Sequence, residues 1–119
     1  MRDENNVRIL LIDDDEEFCQ LTRDYLELQN MILDYCTSGI SGIQAIEKDT
    51  YDLILLDISM PELSGVEAIP RIREVAPGAR ILIVSMHATA GHVRAALKAG
   101  ADGYLLKTAD EDEFLVAIR

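Results

Sequence analysis

Five polar side chains stand where apolar runs stop. Asp13 and Asp14 follow Val7-Arg8-Ile9-Leu10-Leu11-Ile12, Asp57 follows the run 52–56, Ser85 follows 79–84 and Lys107 follows 103–106. If those runs are strands of one sheet, three carboxylates, a hydroxyl and an ammonium meet at one mouth. Strand ends are often polar simply because they reach water, and each position taken singly carries that plain account. These five residue types together point to a site. Asp13, Asp14 and Asp57 bring −3 and Lys107 brings +1, which leaves −2 in a small volume. Like charges so close raise their own pKa values unless a cation sits among them. Mg2+ matches that deficit, being a hard ion that takes one or two carboxylates, keeps several waters and accepts a phosphate oxygen. A carboxylate can act as a nucleophile and form an aspartyl phosphate, a reaction that asks for positioning and charge neutralisation more than for acid–base groups. In that chemistry Asp57 is the acceptor, Lys107 neutralises phosphoryl oxygens and the Ser85 hydroxyl hydrogen-bonds one of them.

Other phosphate chemistries lack their residues. No GxxxxGK[ST] is present, so the chain is not a P-loop NTPase. The first strand is followed by Asp13-Asp14-Asp15-Glu16-Glu17, which would repel a flavin phosphate held by backbone amides. A phosphatase with an Asp nucleophile needs a second Asp two residues on, and Ser59 stands there.

The elements that would position these residues are legible from periodicity. Short apolar runs at 7–12, 31–36, 52–56, 79–84 and 103–106 read as buried strands. Helical spacing fills the intervals. Phe18, Leu21, Tyr25 and Leu28 mark the core face of a first helix, and Ile40, Ile43 and Ile46 that of a second. Val66, Ile69 and Ile72 mark a third, Val93, Ala96, Leu97 and Gly100 a fourth, and Phe114, Leu115 and Ile118 a fifth. Strands alternating with helices predict an α/β domain whose parallel sheet is covered on both faces. In such sheets ligands bind beyond the carboxyl ends of the strands, where strand order reverses. Glu16 and Glu17 suit the first turn of their helix, and Thr108 with Glu111 has capping-box spacing for the last one. Asp110-Glu111-Asp112-Glu113 is accordingly a solvated helix start. Pro70 falls inside the third helix and should remove one backbone bond and bend it.

Composition narrows the class further. The 119 residues form one domain of about ordinary size, 1–119, with Asp and Glu outnumbering Lys and Arg by 22 to 11. A net charge of −11 argues against a nucleic-acid or anionic-lipid surface on this stretch. No apolar run approaches the roughly 20 residues that span a bilayer, so no membrane role is expected. Cys19 and Cys36 form no metal-ligand or CxxC spacing and read as buried thiols of a cytoplasmic protein.

The ordered set resembles the receiver domain of bacterial two-component response regulators across residues 8–119. Its elements are Asp13-Asp14, then Asp57-Ile58-Ser59-Met60-Pro61, Gly65, Ser85 and Tyr104-Leu105-Leu106-Lys107. The resemblance implies a flavodoxin-like (βα)5 fold, doubly wound, with a parallel five-stranded sheet in the order 2-1-3-4-5. It implies that Asp57 takes its phosphoryl group from a phosphohistidine on a sensor histidine kinase. Asp14, Asp57 and the Ser59 carbonyl would ligate Mg2+ directly, and Asp13 largely through water. Tyr104 would be a switch aromatic that turns inward when the Ser85 hydroxyl moves toward the phosphoryl group. The protein would be a phosphoacceptor rather than a turnover enzyme, and it would homodimerise on phosphorylation. Ser59 and His87 would tune dephosphorylation.

Ser85-Met86-His87 and the stretch 100–107 are similar to the subfamily with a LuxR-type helix-turn-helix, which implies a DNA-binding domain beyond residue 119. One departure is Thr108, where most receivers have a proline in a cis peptide. Three other readings stay open. These are a receiver-like interaction module that works without phosphorylation, a single-domain signalling regulator, and a flavodoxin-like enzyme or nucleotide binder.

Overall fold

The computed structural model describes residues 7–58, 65–86, 90–108 and 111–118, with only the backbone at 65–67 and 111–112. Five strands, β1 (Arg8–Ile12), β2 (Ile32–Cys36), β3 (Leu53–Leu56), β4 (Arg80–Ser85) and β5 (Gly103–Leu106), alternate with five helices. The helices are α1 (Glu16–Leu28), α2 (Gly39–Lys48), α3 (Gly65–Val75), α4 (Ala90–Ala99) and α5 (Glu111–Ile118). The strands pair in parallel in the order β2-β1-β3-β4-β5, the flavodoxin-like arrangement expected above.

Alternation along the strands divides the core in two. Leu10, Ile12, Ile54, Leu56, Ile81 and Ile83 face one layer with Ile43, Ile46, Ile69, Ile72 and Ala96 from α2, α3 and α4. Ile9, Leu11, Leu53, Leu55, Leu82 and Val84 face the other, with Cys19, Leu26 and Ile118 from α1 and α5. Side chains of period two thus feed both layers, which is why the central strands read as unbroken apolar runs. Right-handed crossovers explain the split: the chain moves one way from β1 to β2 and the other way from β2 onward. The reversal lies between β1 and β3.

Three expected helix faces are corrected. Cys19, Thr22 and Leu26 are the buried residues of α1, while Leu21 and Leu28 are exposed. The helix is turned by about one residue step, roughly 100°, from the expected stripe. Small Cys19 and Thr22 let it lie close to the sheet, and Phe18 and Tyr25 pack half-buried at one margin. On α2, Ile40 is exposed, and Gly39 and Gly42 share the buried face with Ile43 and Ile46. Leu97 on α4 is likewise exposed. Pro70 lies exposed within α3, and the helix continues through it to Val75.

Candidate functional site

The site is built by strand ladders that run past the strand ends. The Asp13 N–H donates to the Cys36 carbonyl at 3.0 Å and the Asp57 N–H to the Ile12 carbonyl at 2.9 Å. The Lys107 N–H donates to the Ser85 carbonyl at 2.8 Å. Asp13, Asp57 and Lys107 are therefore each fixed by a backbone bond to the neighbouring strand before their side chains contribute anything. The reversal of strand order places Asp13, Asp14 and Asp57 together, where the helices leave the sheet on opposite faces.

Local chemistry then holds the first loop. Asp15 is the N-cap of α1, its carboxylate accepting the Phe18 N–H at 3.1 Å, and Glu16 and Glu17 occupy the first turn. The Asp15 N–H donates to Asp13 Oδ1 at 2.9 Å, and the Cys19 thiol lies 3.4 Å from the Asp13 carbonyl. The acid run thus divides as the sequence suggests, Asp15 to Glu17 starting the helix and Asp13 and Asp14 turning to the mouth.

Carboxylate oxygens of Asp13, Asp14 and Asp57 all lie within 4.8 Å of one another. Asp13 and Asp57 are buried and Asp14 is exposed. Lys107 reaches in from the end of β5, its Nζ 2.7 Å from Asp13 Oδ2 and 3.7 Å from Asp57 Oδ2. Asp13 Oδ2 is fully buried, and the ammonium is its charge partner without a well-directed hydrogen bond. Burial pushes the Asp13 carboxyl up to about 6, against the pull of Lys107 and the Asp15 N–H. The Asp57 charge adds a smaller upward push, so desolvation outweighs the mutual repulsion expected from the sequence. Burial alone would lower the Lys107 pKa, but the close contact with the Asp13 carboxylate and the charge of Asp57 together raise it.

A hard divalent cation suits this donor set. Three carboxylates are close enough to share one ion, and a buried Asp13 oxygen lacks a directed partner.

Ser85 is fully buried at the end of β4. Tyr104 is half-buried on β5 and packs against the cluster under α2, α3 and α4. Ser59 and His87 lie outside the described residues, as do Ala109 and Asp110, which the expected capping box would span. No cis peptide occurs among the described residues, Lys107–Thr108 included.

Sequence reasoning gave Phe18 only a core role. Its ring centroid lies 4.5 Å from Lys107 Nζ. An aromatic in the first helical turn after the acidic pair was the available signal.

Known proteins agree with this geometry. The chain belongs to the response regulator receiver domain family, which matches residues 9–119. It is 34% identical over 119 residues to the transcriptional regulatory protein DegU of Brevibacillus brevis, covering 98% of this chain and 50% of that protein. It is 33% identical to the chemotaxis protein CheY of Halobacterium salinarum, covering 93% of this chain and 92% of that one. Against the nitrate/nitrite response regulator NarL of Escherichia coli, also 33% identical, it covers 99% of itself and 56% of NarL. The chain thus spans about half the length of DegU and NarL. Among solved structures, a CheY-like receiver domain protein from Methanospirillum hungatei superposes with a TM-score of 0.89 at 28% identity, covering 94% of this chain and 90% of that one. The response regulator TrrA of Thermotoga maritima, in complex with Mg2+ and beryllofluoride, gives 0.84 at 29% identity over 94% of this chain and 96% of that one. Among the described residues no helix is long and apolar enough to cross a membrane.

Proposed function

We propose that the chain accepts a phosphoryl group on Asp57 from a phosphohistidine of a sensor histidine kinase, with Mg2+, and so changes the surface it offers to an output. One observation carries this reading. Asp57 is buried at the strand-order reversal, within 4.8 Å of Asp13 and Asp14 and 3.7 Å from the Lys107 ammonium. The phosphorylated aspartate of a Burkholderia pseudomallei response regulator, 26% identical and matching with a TM-score of 0.89 over 95% of this chain and 66% of that one, supports it.

In the reaction an Asp57 oxygen forms a bond to phosphorus as the phosphorus–nitrogen bond of the phosphohistidine breaks. The imidazole leaves with the electron pair and takes up a proton. Asp14, Asp57 and the Ser59 carbonyl would hold Mg2+, with Asp13 acting through water, and the ion would neutralise charge on the transferring group. Lys107 neutralises a phosphoryl oxygen and the Ser85 hydroxyl donates to another. That engagement of Ser85 lets Tyr104 turn inward, shifting the population toward an active surface on α4, β5 and α5. Leu97 and Leu106 stand exposed on α4 and β5, which suits homodimer formation there.

The test is phosphorylation by phosphoramidate with Mg2+, read as the mass gain of one phosphoryl group. Wild type gains it, chelation of Mg2+ prevents it, and Asp57→Ala abolishes it. Equal labelling of Asp57→Ala overturns the assignment.

The output we infer is transcription, through a DNA-binding helix-turn-helix following residue 119, which places the protein in the cytoplasm. The transcriptional regulatory function named for DegU supports this. Translating the codons after Arg119 in the natural gene tests it, and a stop codon there overturns it.

A further inference from the structure

We propose that Phe18 is a positioning residue that holds the Lys107 ammonium against the phosphoryl site. The inference rests on the phosphoacceptor reading of Asp57. The Lys107 side chain is only 10% exposed and its ammonium is bounded on three sides. Asp13 Oδ2 lies at 2.7 Å, Asp57 Oδ2 at 3.7 Å, and the Phe18 ring at 4.5 Å from Nζ to centroid. A cation at that distance from an aromatic face is attracted by the ring quadrupole, more strongly once it is out of water.

The backbone that carries the ring is held by the loop that carries the acids. The Phe18 N–H donates to the Asp15 carboxylate at 3.1 Å, and the Phe18 carbonyl accepts the Thr22 hydroxyl at 2.7 Å. The Asp15 N–H returns to Asp13 Oδ1 at 2.9 Å. One short network therefore fixes Asp13 and the backbone of Phe18, the two residues that flank the Lys107 ammonium.

Charge explains why an aromatic suits this wall. A third carboxylate beside Lys107 would hold the ammonium but add repulsion to a phosphoryl group arriving at Asp57. A leucine would exclude water without attracting the cation. The quadrupole of Phe18 attracts the ammonium and adds no net charge. Phe18 also releases the ammonium toward a phosphoryl oxygen more readily than a carboxylate would.

The experiment compares F18L, F18Y, K107M and F18L/K107M in two measurements. The first is the phosphoramidate labelling rate at saturating Mg2+. F18L is expected to slow labelling about fivefold, the scale of a partly desolvated cation–π contact, and F18Y to stay within about twofold of wild type. In the K107M background F18L should change nothing further, since the ring acts through the ammonium. The second measurement needs no phosphodonor. The ε-methylene protons of Lys107 should resonate upfield in wild type and F18Y, under the ring current, and return to ordinary positions in F18L. An unchanged rate in F18L, the same fivefold loss in both backgrounds, or the absence of an upfield shift in wild type overturns the role of Phe18 while leaving the Asp57 reading intact. Wild type that takes no phosphoryl group overturns that reading instead.

Discussion

The Lys107 ammonium sits a full ångström closer to Asp13 than to Asp57, at 2.7 Å against 3.7 Å. Asp13 is the more deeply desolvated of these two carboxylates, and it holds the only cation within contact distance of it among the described residues. Asp57 is thereby left the weaker claim on Lys107. On the proposed reading, a phosphoryl group on Asp57 would bring new anionic oxygens toward the ammonium and draw it across. In this arrangement Lys107 already stands beside Asp57, in place for that shift.

Three carboxylates with one ammonium should be relieved by a divalent ion. Mg2+ is expected to raise the thermal midpoint, because it binds the folded triad and not the dispersed acids of the unfolded chain. At ten times its Kd the gain is about 1.4 kcal/mol, several degrees for a domain of this size. Asp13→Asn and Asp57→Asn should each shrink the increment, and chelation should remove it. A melting curve indifferent to millimolar Mg2+ would count against a metal at this triad.

Gly42 tests how closely α2 is pressed to β1, the strand that Asp13 follows. A Cβ there would fall 2.5 Å from Ile12 Cδ1 and 2.7 Å from its Cγ1. Gly42→Ala should therefore cost about 1–3 kcal/mol through overpacking, despite the better helix propensity of alanine. Gly91, in α4, has nothing within 4 Å of an added Cβ. Gly91→Ala should be neutral or stabilising by up to about 1 kcal/mol. Urea unfolding of both variants decides this, and equal behaviour would refute the packing account.

Arg73 fastens the end of α3 to the segments that lead into β4 and β5. Its guanidinium donates to the Gly100 carbonyl at 2.9 and 3.1 Å, to the Ala79 carbonyl and to the Asp102 carboxylate. Gly100 has φ of +120°, a conformation glycine adopts without a Cβ penalty, and this turns its carbonyl to the fork. Lysine offers one point charge in place of the planar fork. Arg73→Lys should cost about 1–2 kcal/mol and Arg73→Ala about 2–3 kcal/mol, measured by denaturant midpoint. A lysine variant as stable as wild type would show that charge alone suffices.

Legibility in the sequence followed the strength of each physical signal. The five strands fell within one residue of their apolar runs. The central β1, β3 and β4 are buried almost throughout, whereas the edge strands β2 and β5 are only partly buried. The meeting of Asp13, Asp14 and Asp57 was legible too, since strand-end position and charge type carried it. The α1 face was misplaced because Leu21 and Leu28 outweighed Cys19 and Thr22 in apolar weight, whereas close packing selected the small residues. Similarly, the cause of the Asp13 shift depends on how deeply it is desolvated, which residue types alone do not give. The contact of Phe18 with Lys107 joins residues 89 positions apart (107 − 18) and needs the folded chain to be seen.

Asp102 gives a pH dependence whose sign is fixed by its partners. Burial pushes its carboxyl up, but the Ile81 N–H at 2.8 Å and the Arg73 guanidinium outweigh that and hold it below the usual carboxylate range. A depressed acid binds fewer protons when folded than when unfolded. Its contribution is therefore complete above the unfolded value, near about 3.9, and is lost as pH falls through the lower folded value. About half the Asp102 side chain is exposed, so solvent screens the Arg73 pair and the effect is small. Asp102→Asn keeps an oxygen for the Ile81 N–H and removes the charge. Wild type should melt above this variant at pH 7, and the gap should close as pH drops below about 4. A gap that persists undiminished at pH 2 would show that shape, not charge, is what Asp102 contributes.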